Sequence, residues 1–188
     1  QRRFVERTRK DLEAGADVTI VAFGDSITAG YCVRRGFPSF WTQMLAEKYP
    51  EANVEMINSG ICGDTSMDGL ARLDFSVLSY EPDLVTINFG INDCAFGLDL
   101  EEFEMNFVEM VRRIRAGPNS DILLLTSQPL ETPPYDRMVL DYYQAVLRVA
   151  KQMDVGFVNV FGAWMRAVVA GTPLGSLILP GLDHPNEA

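Results

Sequence analysis

Short apolar runs rich in β-branched and aliphatic residues recur along this chain: VTIVAF at 18–23, VEMI at 54–57, LVTINF at 84–89, ILLLT at 122–126 and FVNV at 157–160. They are near-continuous rather than alternating, the pattern of strands covered on both faces, and such strands build parallel sheets. Helical patterns lie between them. Phe37, Trp41, Met44 and Leu45 form one stripe around Pro38, a favourable first-turn residue, and Leu70, Leu73 and Val77 form a second. Phe103, Phe107, Met110, Val111 and Ile114 make a third, and Val139, Tyr143, Val146, Leu147 and Ala150 a fourth. Five β–α units predict an α/β fold, a three-layer α/β/α sandwich around a five-stranded parallel sheet with right-handed crossovers. The charged segment 1–14 is expected to pack outside as an accessory helix.

With 188 residues, 47% of them hydrophobic and 22% charged, the chain 1–188 has the size and balance of one globular domain, and no repeat, low-complexity tract or linker divides it. Lys and Arg number 16 against 26 Asp and Glu, a net charge of −10. That field repels phosphate backbones and anionic membrane surfaces, so nucleic acid is not an expected partner. Apolar runs such as ILLL at 122–125 are far too short to cross a bilayer, so a soluble chain without stable membrane insertion is expected. Cys32, Cys62 and Cys94 are odd in number and form no C-x-x-C pair, which fits a reducing, cytoplasmic compartment. Because the chain opens on Gln1, a secreted or periplasmic origin stays open.

Ligands of open parallel sheets bind at the carboxyl ends of the strands. The residues just past the first three strands are Gly24-Asp25-Ser26-Ile27-Thr28, Asn58-Ser59-Gly60-Ile61-Cys62-Gly63-Asp64-Thr65-Ser66 and Gly90-Ile91-Asn92-Asp93. The sole histidine, His184, follows the fifth strand in Asp183-His184-Pro185-Asn186. Together these groups can carry out acyl transfer. Serine is a weak nucleophile until an imidazole takes its proton, and only His184 can do so here. The oxyanion then needs donors, and three are available: the N–H of Ser26 at a helix start, the N–H of Gly63 and the side-chain amide of Asn92. Read alone, Ser26 would be a helix N-cap, His184 a surface residue and Asn92 a turn residue.

The blocks GDSIT, NSGICGDTS, GIND and DHPN resemble, in order and spacing, the four blocks of the SGNH hydrolases, also called the GDSL esterase family, over about residues 18–187. The resemblance implies the flavodoxin-like strand order 2-1-3-4-5. It also implies Ser26 as nucleophile, His184 as general base, and Gly63 and Asn92 with the Ser26 amide as oxyanion hole. The implied activity is hydrolysis of carboxylic esters, either carbohydrate O-acetyl and other small acyl esters or, alternatively, lysophospholipids and thioesters with longer chains. The family's helix after the last block, packed on the sheet, is expected beyond residue 188. No cofactor and no metal are expected: Asp25, Asp64 and Asp93 read as caps, and the Gly-rich cradle of a phosphate site is missing.

The family's last block usually carries aspartate three residues before the histidine, where this chain has Gly181. Three readings of the third catalytic partner follow: Asp183 bends back to the ring, a backbone carbonyl near Gly181 orients it, or a carboxylate from another loop does. The missing acid also leaves room for a ligand-binding module with a weakened site. Tyr31, Phe37, Phe96 and Tyr135 are expected to flank the substrate pocket. The three cysteines border the site and read as small wall residues, with Cys62 and Cys94 as a pair that oxidant could join.

Overall fold

In a computed structural model of the chain, residues 2–117 and 119–187 are described. The strands β1 (Asp17–Gly24), β2 (Asn53–Gly60), β3 (Leu84–Asn88), β4 (Asp121–Leu125) and β5 (Gly156–Val158) form one parallel sheet in the order β2-β1-β3-β4-β5. A short 3₁₀ turn leads into α1 (Glu6–Glu13), and the remaining helices are α2 (Ser26–Ala29), α3 (Phe37–Lys48), α4 (Ser66–Ser76), α5 (Ile91–Phe96), α6 (Leu100–Ala116), α7 (Tyr135–Gln152) and α8 (Val160–Val169). This is the expected three-layer arrangement and strand order.

Alternation along the strands sends successive side chains to opposite layers. Val21, Phe23, Val85, Ile87 and Leu124 pack against Leu73 of α4, Phe103, Phe107 and Met110 of α6, and Val139, Val146 and Val149 of α7. Val18, Ile20 and Leu84 face the other way, onto Leu12 of α1 and Trp41 and Leu45 of α3. The charged opening segment is tied on by polar contacts as well, with Thr8 Oγ1 donating to Asp121 Oδ2 at 2.7 Å and Arg7 paired with Asp83 at 2.8 Å. On this face a trough of about 410 Å³ runs between α3 and α8, from Phe37 and Trp41 across Leu123 and Leu125 to Trp164.

Two expectations need correcting. β2 is not covered on both faces: none of its residues is fully buried, because it is the sheet's edge and lacks a neighbour on one side. The last run is also shorter than 157–160, since Asn159 caps a helix by accepting the Gly162 N–H at 2.7 Å and Val160 already belongs to α8.

Candidate active site

The strand register brings the loops level. Gly24, the last residue of β1, pairs with Gly60 at the end of β2 on one side and with Asn88 at the end of β3 on the other. The residues that follow each strand therefore leave the sheet at one edge. The corner after β1 is held by Asp25, whose N–H donates to the Asn88 carbonyl at 3.3 Å and whose Oδ1 accepts the Ile27 N–H at 2.9 Å. Asp25, not Ser26, is the N-cap of α2. The serine hydroxyl is thereby released from the capping role a serine usually takes at a helix start.

That hydroxyl meets the imidazole: Ser26 Oγ lies 2.7 Å from His184 Nε2, although the two residues are 158 apart in the chain. The other ring nitrogen, Nδ1, is 2.5 Å from the Leu182 carbonyl oxygen. A carbonyl can only accept, so Nδ1 carries the proton and Nε2 presents its lone pair to the serine. The ring is also packed against Tyr31, with centroids 5.3 Å apart.

Asp183 does not reach the ring. It adopts a left-handed conformation, φ 49°, that turns its carboxylate to the loop after β4, where Oδ1 accepts the Glu131 N–H at 2.6 Å. Its carbonyl accepts from Gln128 Nε2 at 2.8 Å, and Gln128 is almost fully buried. Asp183 and Gln128 thus fasten the histidine loop to the sheet, and Ile178 pairs with Pro185 in an antiparallel bridge that closes the same loop. Gly181 sits at φ 73°, a conformation an aspartate there would adopt only under strain. Asp183→Asn, which keeps an oxygen for the Glu131 N–H, is expected to lower kcat by less than about tenfold, against roughly 10⁴-fold for a carboxylate that orients the ring. Steady-state kinetics of the variant checks this.

Gly63 has φ 86°, so a residue without Cβ is required by the backbone itself. Asn92, in the first turn of α5, donates one Nδ2 hydrogen to the Asp64 carbonyl at 2.8 Å. Among the described residues its second N–H has no partner. Ser26 and His184 line a cleft of about 260 Å³ with Tyr31, Arg35, Phe37 and Phe40. Of the expected flanking aromatics, Tyr31 and Phe37 line this cleft, whereas Phe96 and Tyr135 are exposed side chains outside its lining. Phe40 and Arg35 were missed. Their stacking, with the Arg35 guanidinium 4.5 Å from the Phe40 ring centroid, joins residues five apart and leaves no repeating pattern.

Behind the serine lie two buried carboxyls, Asp25 and Asp93. Burial pushes the Asp25 carboxyl up from 3.8 to about 7, with Asp93 and Asp64 adding to the effect and the Ile27 N–H opposing it. Asp93 is likewise raised by burial and accepts the Ser66 N–H at 2.8 Å, so it caps α4 from α5 instead of capping its own helix. The folded Asp25 keeps its proton up to about pH 7, while an unfolded one releases it around 3.8. Between those values the folded state binds the extra proton, so stability falls as pH rises and levels off above about 7. Asp25→Asn should remove this slope, gaining roughly 3–4 kcal/mol relative to wild type between pH 4 and 8. Urea unfolding at both pH values measures it; parallel curves would show that Asp25 ionises inside the fold.

Among the described residues no group of three or more His, Cys, Asp or Glu could hold a metal ion, and no helix is long and apolar enough to cross a membrane. Cys94 is buried and its thiol is pushed up by desolvation, leaving Cys32 and Cys62 as the exposed thiols.

A parallel sheet that delivers serine, histidine and asparagine to one edge defines the class of serine ester hydrolases. Residues 22–188 match the GDSL-like Lipase/Acylhydrolase family, and the chain belongs to it. It is 28% identical over 151 residues to Thioesterase 1/protease 1/lysophospholipase L1 of Escherichia coli strain K12, covering 80% of this chain and 70% of that one. To Esterase TesA of Pseudomonas aeruginosa it is 32% identical over 149 residues, covering 77% and 73%. Among solved structures, a two-domain esterase active on acetylated mannans, co-crystallised with mannopentaose, superposes with a TM-score of 0.83 at 26% identity. The match covers 99% of this chain and 50% of that protein, so the chain spans half the length of this relative.

Proposed function

We propose that the protein hydrolyses small carboxylic esters, with carbohydrate O-acetyl groups as the substrate class, through an acyl-enzyme on Ser26. The observation that carries this reading is the 2.7 Å contact between Ser26 Oγ and His184 Nε2, with Nδ1 committed to the Leu182 carbonyl. His184 takes the serine proton as Oγ attacks the ester carbonyl carbon. The N–H groups of Ser26 and Gly63 and the free Asn92 N–H receive the oxyanion, and the imidazolium returns its proton to the departing alcohol. Water repeats the sequence on the acyl-enzyme and restores the serine. Among the described residues no carboxylate meets Nδ1, and the Leu182 carbonyl supports the imidazolium as a dipole.

The small-acyl reading rests on the cleft. At about 260 Å³ it falls below the ~300 Å³ lower bound of pockets that enclose a drug-sized ligand, a size that suits an acetyl group, and its Tyr31, Phe37 and Phe40 rings suit the face of a sugar. The mannan-active relative supports the same class. A lysophospholipase or thioesterase reading, suggested by the name of the Escherichia coli relative, needs a longer apolar groove. The apolar trough between α3 and α8 reaches Ile27 and Pro185, next to Ser26 and His184, and the octanoate arm of the test below decides whether it takes an acyl chain.

The test is kcat/KM on p-nitrophenyl acetate, p-nitrophenyl octanoate and an acetylated oligosaccharide. Acetate preferred over octanoate is expected. Octanoate preferred by tenfold or more would replace the small-acyl reading with the long-chain one.

A further inference from the structure

Arg72 lies on α4, whose apolar stripe belongs to the core, yet it is neither a surface charge nor among the residues lining the serine cleft. Its side chain is 16% exposed and its fork is distributed over three separate segments. Nη2 donates to the Gly24 carbonyl at 3.0 Å, Nη1 to the Ser59 carbonyl at 3.0 Å, and Nε to Asp64 Oδ2 at 2.6 Å. The guanidinium plane rests 4.5 Å from the Phe23 ring centroid.

Each of these acceptors adjoins one of the groups assigned above to the oxyanion hole. Gly24 ends β1 two residues before Ser26, and its carbonyl also accepts the Ile61 N–H at 3.0 Å. Ser59 leads β2 into the turn that carries Gly63. Asp64 follows Gly63 directly, and its own carbonyl receives the Asn92 amide at 2.8 Å. The three donors come from three different loops, which single bonds join in pairs, Ile61 N–H to the Gly24 carbonyl and the Asn92 amide to the Asp64 carbonyl, while Arg72 reaches the ends of β1 and β2 and Asp64 at once. A transition-state oxygen rewards donors only when they converge to within about half an ångström.

We propose that Arg72 is the positioning residue of the oxyanion hole, one planar guanidinium that fixes the strand ends bearing Ser26 and Gly63 and, through Asp64, the amide of Asn92. The planar fork matters because its three acceptors cannot shift independently, whereas a lysine ammonium is a point charge on a flexible stem. Arg72 touches no reacting atom, so it acts on the geometry of the donors alone. The inference rests on the reading of Ser26 as nucleophile and of the three donors as its oxyanion hole.

The experiment compares wild type with Arg72→Lys, measuring kcat and KM on p-nitrophenyl acetate and titrating reactive Ser26 with an organophosphorus ester. Rates are expressed per labelled serine, so a fold defect that merely lowers the active fraction does not register. The expected result is a 10- to 100-fold lower kcat per labelled site with KM within about threefold, smaller than the 10²–10³-fold loss of a whole donor. Asp64→Ala keeps both main-chain bonds of Arg72 and is expected to lose at least threefold per site; it serves also if Arg72→Lys does not fold. Wild-type kcat per site in both variants, or in Asp64→Ala alone should Arg72→Lys not fold, would overturn the role of Arg72 while leaving the nucleophile intact. A wild type that turns over ester without labelling at Ser26 would overturn both.

Discussion

Ser26→Ala and His184→Ala are each expected to lower kcat by on the order of 10⁴–10⁶-fold, and the double variant is expected to be no slower than the slower single one. The reason is geometric. Ser26 Oγ has one proton-accepting partner, His184 Nε2 at 2.7 Å, and among the described residues no other histidine exists to replace it. Removing either group removes the same step, the transfer of the hydroxyl proton as Oγ attacks, so the losses do not add. What survives is catalysis by the oxyanion donors and by binding, which act without the serine–histidine pair. Kinetics of the two single variants and the double variant provide the check. Losses that multiplied would mean that the two side chains serve separate steps and that the short contact between them is not the reacting pair.

Asn92→Ala is expected to reduce kcat by about 10²–10³-fold, roughly 2.7–4 kcal/mol of transition-state stabilisation, with KM changed little. The amide is anchored by one hydrogen on the Asp64 carbonyl at 2.8 Å, which leaves the other hydrogen for the oxyanion. Its charge-stabilising contribution arises only when the carbonyl oxygen becomes an oxyanion, which is why the effect should fall on kcat. The other two donors are main-chain groups, and at Gly63 the φ of 86° means that a substitution would test the turn as much as the donor. Asn92 is therefore the cleanest site at which to remove one donor. A change of only a few-fold in kcat would take the amide out of the oxyanion hole.

Most of the architecture was legible because it rests on side-chain chemistry that repeats. The apolar runs at 84–89 and 122–126 mark β3 and β4 closely, and the 3–4 spacing of Phe103, Phe107, Met110 and Ile114 marks the buried face of α6. Three of the four loop blocks sit just past β1, β2 and β3, whose ends lie level, and the fourth returns to them from the loop beyond α8. Illegible features were those without a residue signature. The edge position of β2 depends on strand order, which VEMI does not encode. The partner of His184 Nδ1 is the Leu182 carbonyl, and every residue has a carbonyl; only the absence of aspartate at 181 hinted that a main-chain group would serve. The sequence could not say that Asp183 would turn to the Glu131 N–H, since that depends on a left-handed φ of 49°. Arg72 stood one position from Leu73 in a core-facing helix, and its role appears only once Gly24, Ser59 and Asp64 are brought around it.

The histidine is thus held from both sides by different kinds of group. Nε2 meets a side chain that reacts, and Nδ1 meets a main chain that cannot move without the loop, itself fastened by Gln128 and Asp183 to the segment after β4. In this chain tautomer selection belongs to a carbonyl. That distinguishes its expected response to mutation: loss of the Asp183 carboxylate is mild, whereas loss of Ser26 or His184 is severe.

The central claim is that Ser26 is the nucleophile activated by His184. Treatment with an organophosphorus ester followed by peptide mass spectrometry tests it most directly. One adduct per chain is expected, on Ser26, formed in step with loss of esterase activity and suppressed by His184→Ala. An adduct on another residue accompanying full inactivation, or ester hydrolysis that continues unchanged with Ser26 fully modified, would contradict it.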